Sequence, residues 1–423
     1  MEYKSRIVDN ILDEVFPQLP AIAIEGAKGV GKTATAQKRA TTTVKLDEVR
    51  QRRIYSNNPA LLTELPTPLL IDEWQFIPET WDIVRRAVDD GAQGGHFLLT
   101  GSANIPANTR IHSGAGRIVS LHMRPMSLYE RDMCEYPVSL ATLLEGERED
   151  IFASTSVSFH DYVHEIMRSG FPGIRTFTGR ALTMHLDSYI ERAVNKNLEI
   201  SSPTIRSTAS LRAWLSAYGA ATGTNASYEA ILNAATPGEK NKPARSTVRG
   251  YHNYLSQLYL LDPIPAWTPT FAPLNRLSKT PTHHLVDPAL AVRLTGLNEK
   301  SLVRGEGKVV GESEETFLGH LFESLAAQSV RVYATGVDAK VFFLRTQEGR
   351  HEIDLIVEGD DSSVIAIEVK LASSVDDKDV KHLLWLEKQI GEQIADLVVL
   401  YAGDTAYRRS DGVLVLPLAM LAP

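Results

Sequence analysis

Eight consecutive residues, Gly26, Ala27, Lys28, Gly29, Val30, Gly31, Lys32 and Thr33, have the spacing G-x-x-x-x-G-K-T. A glycine-rich turn of this kind aims backbone N–H groups at a phosphate, its lysine reaches the β- and γ-phosphates, and its threonine hydroxyl ligates Mg²⁺. The pair Asp72-Glu73 ends an apolar run further on. There Asp72 would hold the hydration shell of the Mg²⁺, and Glu73 would orient and deprotonate an attacking water. Ser102, or Asn104 beside it, would bond the γ-phosphate or that water. Arg117 closes the glycine loop His112–Arg117. It is either an arginine finger for a transferring phosphoryl group or half of a surface salt bridge, and Arg124 is a second candidate for the finger.

A second group of residues is acidic. Asp354 is followed by Glu368-Val369-Lys370 on the next strand pattern. Alternation puts Glu352, Asp354 and Ile356 on one face, and Val364, Ala366, Glu368 and Lys370 on one face. Two hard carboxylates can hold Mg²⁺ at a scissile phosphate, with the lysine generating or positioning hydroxide. The spacing resembles the catalytic core of the restriction-endonuclease-like superfamily. That resemblance makes Asp354 and Glu368 metal ligands and Lys370 catalytic, and adds Glu323, on the preceding helix, as a further ligand. The bland alternative is a solvated hairpin, or a nuclease-like fold that keeps only its salt bridge.

These residues need elements to carry them. Ala21–Glu25 reads as the strand before the loop and Ala34–Ala40 as the helix after it, with further strands at Thr43–Asp47, Pro66–Glu73 and His96–Thr100. Together they predict an α/β P-loop domain over residues 1–135. Residues 157–200 are helical in pattern, with Gly170–Gly173 as a structural turn between two helices. Three more helical patterns, Ser207–Ala220, Ser227–Ala235 and Ser246–Leu261, surround the basic loop Pro237–Pro243 and resemble a winged helix. In that fold the third helix, with Thr247, Arg249, His252 and Asn253, enters the major groove; the competing reading of 136–300 is a helical lid. Over 301–423, a helix at Glu314–Ser329 and strands at Val341–Leu344, Glu352–Val357 and Val364–Val369 predict the nuclease-like α/β domain.

At 423 residues, about three domains are expected, and 43% hydrophobic with 23% charged residues is an ordinary globular composition. No apolar run approaches the roughly 20 residues of a membrane span, and the N-terminus has no apolar stretch behind its charges, so the expected location is the cytoplasm. The lone Cys134 excludes an intramolecular disulfide and a cysteine-built zinc site. The net charge of −8 is uneven, because residues 301–423 hold 12 Lys/Arg against 21 Asp/Glu. Residues 201–260 are basic, with Arg206, Arg212, Lys240, Lys242, Arg245 and Arg249 against Glu229 and Glu239. DNA is therefore the expected partner of 201–260 and a further candidate partner of 301–423, although the acidity of that domain argues mildly against tight DNA binding by it alone.

The order of Gly26–Thr33, Leu69–Glu73, Leu99–Asn104, Ser113–Arg117 and Pro125–Glu130 resembles a large prokaryotic family of AAA-type ATPases. The likeness continues through Ser169–Gly173, Tyr251–Leu261 and Glu352–Lys370. Members pair an N-terminal ATPase domain with a C-terminal domain of unknown function, and often carry Arg-Gln where this loop has Lys28-Gly29. The resemblance implies an ATPase using ATP and Mg²⁺, with the oligomeric state, homo-oligomer or not, left open. Two functions compete: an ATP-driven enzyme acting on DNA, with a C-terminal nuclease, and a STAND-like nucleotide switch in regulation or defence whose C-terminal domain only binds.

Overall fold

An apolar run becomes a strand with no polar alternation when helices cover both faces of its sheet. The first sheet is built from such runs. In the computed structural model, which describes residues 3–101, 114–195, 207–238, 242–269, 280–311, 315–346 and 349–423, five strands lie wholly parallel. They are β1 Ala21–Glu25, β2 Thr42–Lys45, β3 Leu69–Asp72, β4 Phe97–Gly101 and β5 Val119–His122, in the order β2-β3-β4-β1-β5. β3 and β4 are buried along their whole length. β5 was not expected, because Val119 and Ser120 are exposed at the sheet edge and give no apolar run. The order makes β1, β4 and β3 neighbours. The loop after β1, the acids ending β3 and Thr100-Gly101 ending β4 therefore emerge together, at the carboxyl edge where open parallel sheets bind ligands.

The middle region is helical. Helices Phe159–Arg168 and Gly179–Asn195 flank the Ser169–Gly173 turn, which is structural: a Cβ on Gly170 would lie 2.6 Å from the Arg131 guanidinium and 2.9 Å from the Met126 carbonyl. Helices Thr208–Gly219, Tyr228–Ala235 and Arg245–Gln257 follow. The first two start where Ser207 and Ser227 accept from Ser210 N–H and Ala230 N–H, the capping bonds that hydroxyl side chains supply. Bridges Thr224–His283, Leu261–Leu285 and Ile264–Thr282 form a short ladder behind them.

The C-terminal domain begins with helix Phe317–Gly336, capped by Thr316 and buried on nearly every face. That burial follows from its neighbours, which include helix Ile7–Val15, helix Phe159–Arg168 and three strands of the second sheet. Strands β8 Lys340–Arg345, β9 Glu352–Glu358 and β10 Val364–Lys370 form an antiparallel meander. Helix Asp377–Ile390 then crosses to β11 Ile394–Tyr401, parallel to β10. β12 Thr405–Arg408 and β13 Leu414–Pro417 extend the sheet. β7 Ala153–Ser154 pairs with β12, and β6 Val138–Ser139 pairs with β14 Leu421–Ala422. The last domain thus draws strands from outside 301–423.

Candidate functional site

The phosphate loop is fixed by glycine geometry. Gly26, Gly29 and Gly31 have φ of +147°, +89° and +111°, values that residues with a side chain rarely adopt. A Cβ on Gly26 would stand 2.2 Å from the Met123 carbonyl oxygen. From below, the buried Arg6 guanidinium donates to the carbonyls of Val30 and Arg124, each at 2.8 Å, and pairs with Glu130 at 3.0 Å. Ala27 and Val30 pack into the core, while Lys28 points to solvent. Helix Lys32–Gln37 starts in the loop itself, earlier than its sequence pattern indicated. Lys32 is 6% exposed, and its amine donates to the Gly26 and Ala27 carbonyls at 2.7 and 2.9 Å. Burial pushes it down to about 8, against the pull of Glu73 and Asp72.

The Thr33 hydroxyl donates to Asp72 Oδ1 at 2.7 Å, and the Thr100 hydroxyl donates to the same oxygen. Thr100 had no sequence signal beyond ending a strand. Glu73 has a left-handed φ of 54°, and the Gln75 amide donates to its carboxylate. That backbone costs a non-glycine residue about 1–3 kcal/mol and turns its side chain sharply off β3. Beside Gly31, Ala34 and Thr35 opens a cleft of about 410 Å³ with Met123, Met126 and Pro172 on its walls. Ser102 and Asn104 lie outside the described residues. Arg117 donates to Asp89 Oδ1 at 2.8 Å on an exposed surface. Arg124 is engaged elsewhere, in a two-bond pair with Asp262 at 2.8 and 3.2 Å.

That pair continues into the last domain. Asp262 also meets Arg331 of helix Phe317–Gly336 at 3.0 Å, and Arg331 donates to the Asp262 carbonyl at 2.7 Å. Burial alone would raise the Asp262 carboxyl, but the two guanidiniums hold it well below the usual carboxylate range. Nearby, Tyr259 donates to Glu25 of β1 at 2.8 Å. A chain of contacts therefore runs from the strand carrying the loop to the helix carrying Glu323.

Near that helix lies the acidic cluster. The Lys370 amine is 3.1 Å from Glu368 Oε2 and 3.5 Å from Glu315. Asp354 accepts from the Val369 N–H at 2.8 Å. Asp354, Glu368 and Lys370 thus meet where β9 and β10 run side by side, as their spacing indicated. Glu368 is 3% exposed and its Oε1 has no hydrogen-bond partner. Burial and the charge of Asp354 raise its carboxyl well above the ordinary value. Burial would lower the Lys370 amine, yet Asp354, Glu368 and Glu315 raise it, so it stays charged. Glu323 is also raised, by burial and by Asp354, Glu315 and Glu352. Its oxygens face His284 and His320 instead of Glu368. Those histidines went unread in the sequence, although His320 stands three residues before Glu323 on one helix, a spacing that puts both on one face.

In the middle region, Lys242, Arg245, Arg249 and Asn253 are exposed along a cleft of about 740 Å³ between helices Tyr228–Ala235 and Arg245–Gln257. His252 is partly buried against the Tyr228 ring. Arg206 and Lys240 lie outside the described residues. No helix among the described residues is long and apolar enough to cross a membrane.

Three family models match the chain: "AAA domain" over residues 18–131, and two domains of unknown function, DUF8612 over 159–301 and DUF4143 over 318–421. Uncharacterized proteins Rv2008c of Mycobacterium tuberculosis and Mb2031c of Mycobacterium bovis are each 22% identical over 96% of this chain and 82% of their own length. Among solved structures, the Walker-type ATPase PABY2304 of Pyrococcus abyssi is 13% identical, covering 68% of this chain and 94% of that one, with a TM-score of 0.41. ORC1 of Aeropyrum pernix, solved in complex with DNA, is 14% identical over 70% and 93%, with a TM-score of 0.24. Likenesses that slight carry no argument here. The loop geometry and the match over 18–131 together support a P-loop ATPase domain, while the matches over 159–301 and 318–421 assign no chemistry.

Proposed function

We propose that this protein binds and hydrolyses ATP with Mg²⁺, and that the nucleotide state acts on the C-terminal domain. One observation carries the ATPase reading: the Thr33–Asp72 hydrogen bond under a loop of three left-handed glycines. The residues fit the group. Thr33 and Asp72 are the oxygen donors that would hold Mg²⁺, which supplies positive charge to the phosphates when bound. The backbone of Gly26–Thr33 and the Lys32 amine bind and orient the phosphate chain, and Glu73 accepts a proton from water. The nucleoside end fits the cleft beside Gly31. Steady-state hydrolysis by Lys32→Ala and Glu73→Gln tests this: the first should lose tight ATP binding, and the second should keep binding and lose turnover.

Asp354, Glu368 and Lys370 favour a restriction-endonuclease-like reading of the last domain. Its helix, three-strand meander, crossover helix and parallel strand carry two carboxylates and an ammonium on adjoining strands. The exposed Lys242, Arg245 and Arg249 favour DNA as partner of the middle region, and the ladder behind the three helices suits a winged helix. The switch reading draws on the Arg124–Asp262–Arg331 contacts, which give the ATPase sheet a mechanical hold on the last domain. Cleavage of labelled linear, single-stranded and branched DNA with Mg²⁺ or Mn²⁺, with and without ATP, separates them. Cutting lost in Asp354→Asn supports the nuclease, and none from folded protein leaves the switch.

A further inference from the structure

The acidic cluster holds more donor atoms than Asp354 and Glu368 account for. Glu323 is 7% exposed, and its two oxygens face two different rings. Oε1 lies 3.8 Å from His284 Nε2, and Oε2 lies 3.6 Å from His320 Nδ1. Both separations exceed a hydrogen bond, whose heavy atoms approach to about 2.7–3.2 Å. They are near the spacing of two ligands on one ion, since bonds of about 2.0–2.1 Å at tetrahedral angles put donors roughly 3.4 Å apart. Glu315, just before the helix, completes a group. One donor atom each from Glu315, His320 and Glu323 lie within 4.8 Å of one another.

His284 gives an independent sign that something else belongs here. It is 3% exposed, comes from the ladder segment behind the three middle helices, and has no hydrogen-bond partner at either ring nitrogen. Opposite it, Gly223 leaves no room for a side chain: a Cβ there would stand 2.6 Å from His320 Nδ1 and 2.9 Å from Glu323 Oε2.

We infer that His284, His320, Glu323 and Glu315 form a site for one divalent transition-metal ion, of the class of Mn²⁺, Co²⁺ and Zn²⁺, next to the Asp354–Glu368 pair. Imidazole donors select such ions over Mg²⁺, which keeps its waters and favours carboxylate oxygen. The site joins the middle region, through His284, to the last domain, through Glu323. It does not depend on whether Asp354, Glu368 and Lys370 cut DNA.

The test is Mn²⁺ titration of the full-length, nucleotide-free protein after chelation, read by pulsed electron paramagnetic resonance. The expected signal is the ¹⁴N coupling of a directly bound imidazole, undiminished by an equal concentration of Mg²⁺. His320→Gln and His284→Gln should each weaken binding at least about tenfold and reduce that coupling. Circular dichroism checks that each variant folds, and either folded variant suffices. Asp354→Asn should keep the nitrogen coupling even if DNA cleavage is lost, which keeps this inference separate from the nuclease reading. Three results overturn it: no Mn²⁺ bound by folded wild-type protein, Mn²⁺ bound without nitrogen coupling, or unchanged binding in the folded histidine variants.

Discussion

The phosphate loop and the acidic cluster are opposites in charge and in construction. The loop is mostly backbone. Its donors are N–H groups, its shape comes from glycines at positive φ, and its key side chains, Lys32 and Thr33, are adjacent in sequence. It is built for an anion. The cluster is all side chain, with Glu315, Glu323, Glu352, Asp354 and Glu368 around a single ammonium, Lys370. Its excess of carboxylates over ammonium suits a cation, and its members come from a loop, a long helix and two strands. A backbone site must be written in consecutive residues; a side-chain site can be written anywhere that the fold brings to one place.

The widest separation between the two should come from Glu73→Gln. If Glu73 is the general base, its loss should lower ATP turnover by about 10²–10⁴-fold with binding retained, and should leave divalent-cation binding at the cluster unchanged. Parallel ATP-binding and turnover assays would break the assignment if turnover survived. Asp354→Asn is the mirror experiment. Mn²⁺ affinity at the Asp354–Glu368 pair should drop at least about tenfold in calorimetry, with ATP turnover untouched; equal loss in both assays would mean that the sites are not separate.

Those two predictions differ in how much sequence alone supported them. Gly26–Thr33, Asp72 and Glu73 were legible because each lies at the end of a short apolar strand and the motif is contiguous. Asp354, Glu368 and Lys370 were legible through strand alternation, which placed Glu368 beside Lys370. Glu323 was legible only in part, since its nearest polar neighbours, His284 and His320, depend on a middle-region segment packing against helix Phe317–Gly336. The ion pair of Arg124 could not be read from sequence either. Its partner Asp262 is 138 positions away, and no local pattern marks a salt bridge of that reach. β5 escaped because an exposed edge strand needs no apolar run.

Arg117 offers a smaller effect and a sharper choice. As a nucleotide-sensing residue, its replacement by alanine should lower kcat at least about tenfold with little change in affinity. As the exposed partner of Asp89, it contributes little to stability and nothing to turnover. A rise in specific activity with protein concentration would place it across a subunit boundary.

The smallest effect is one of pH. Burial lowers the Lys32 amine to about 8 in the free protein, and a bound polyphosphate favours its charged form. ATP affinity should be flat below that value and fall by at most about tenfold per pH unit above it, with proton uptake on binding. Titrations from pH 7 to 9.5 check this, and Lys32→Ala should remove the dependence.

The most direct test of the account is ATP binding and hydrolysis by the wild-type chain and by Lys32→Ala, each with Mg²⁺ and with chelator. The wild type should turn over ATP only with Mg²⁺, and Lys32→Ala should lose tight binding and turnover together while remaining folded. Equal binding and turnover in the two proteins, or turnover that ignores Mg²⁺, would contradict it.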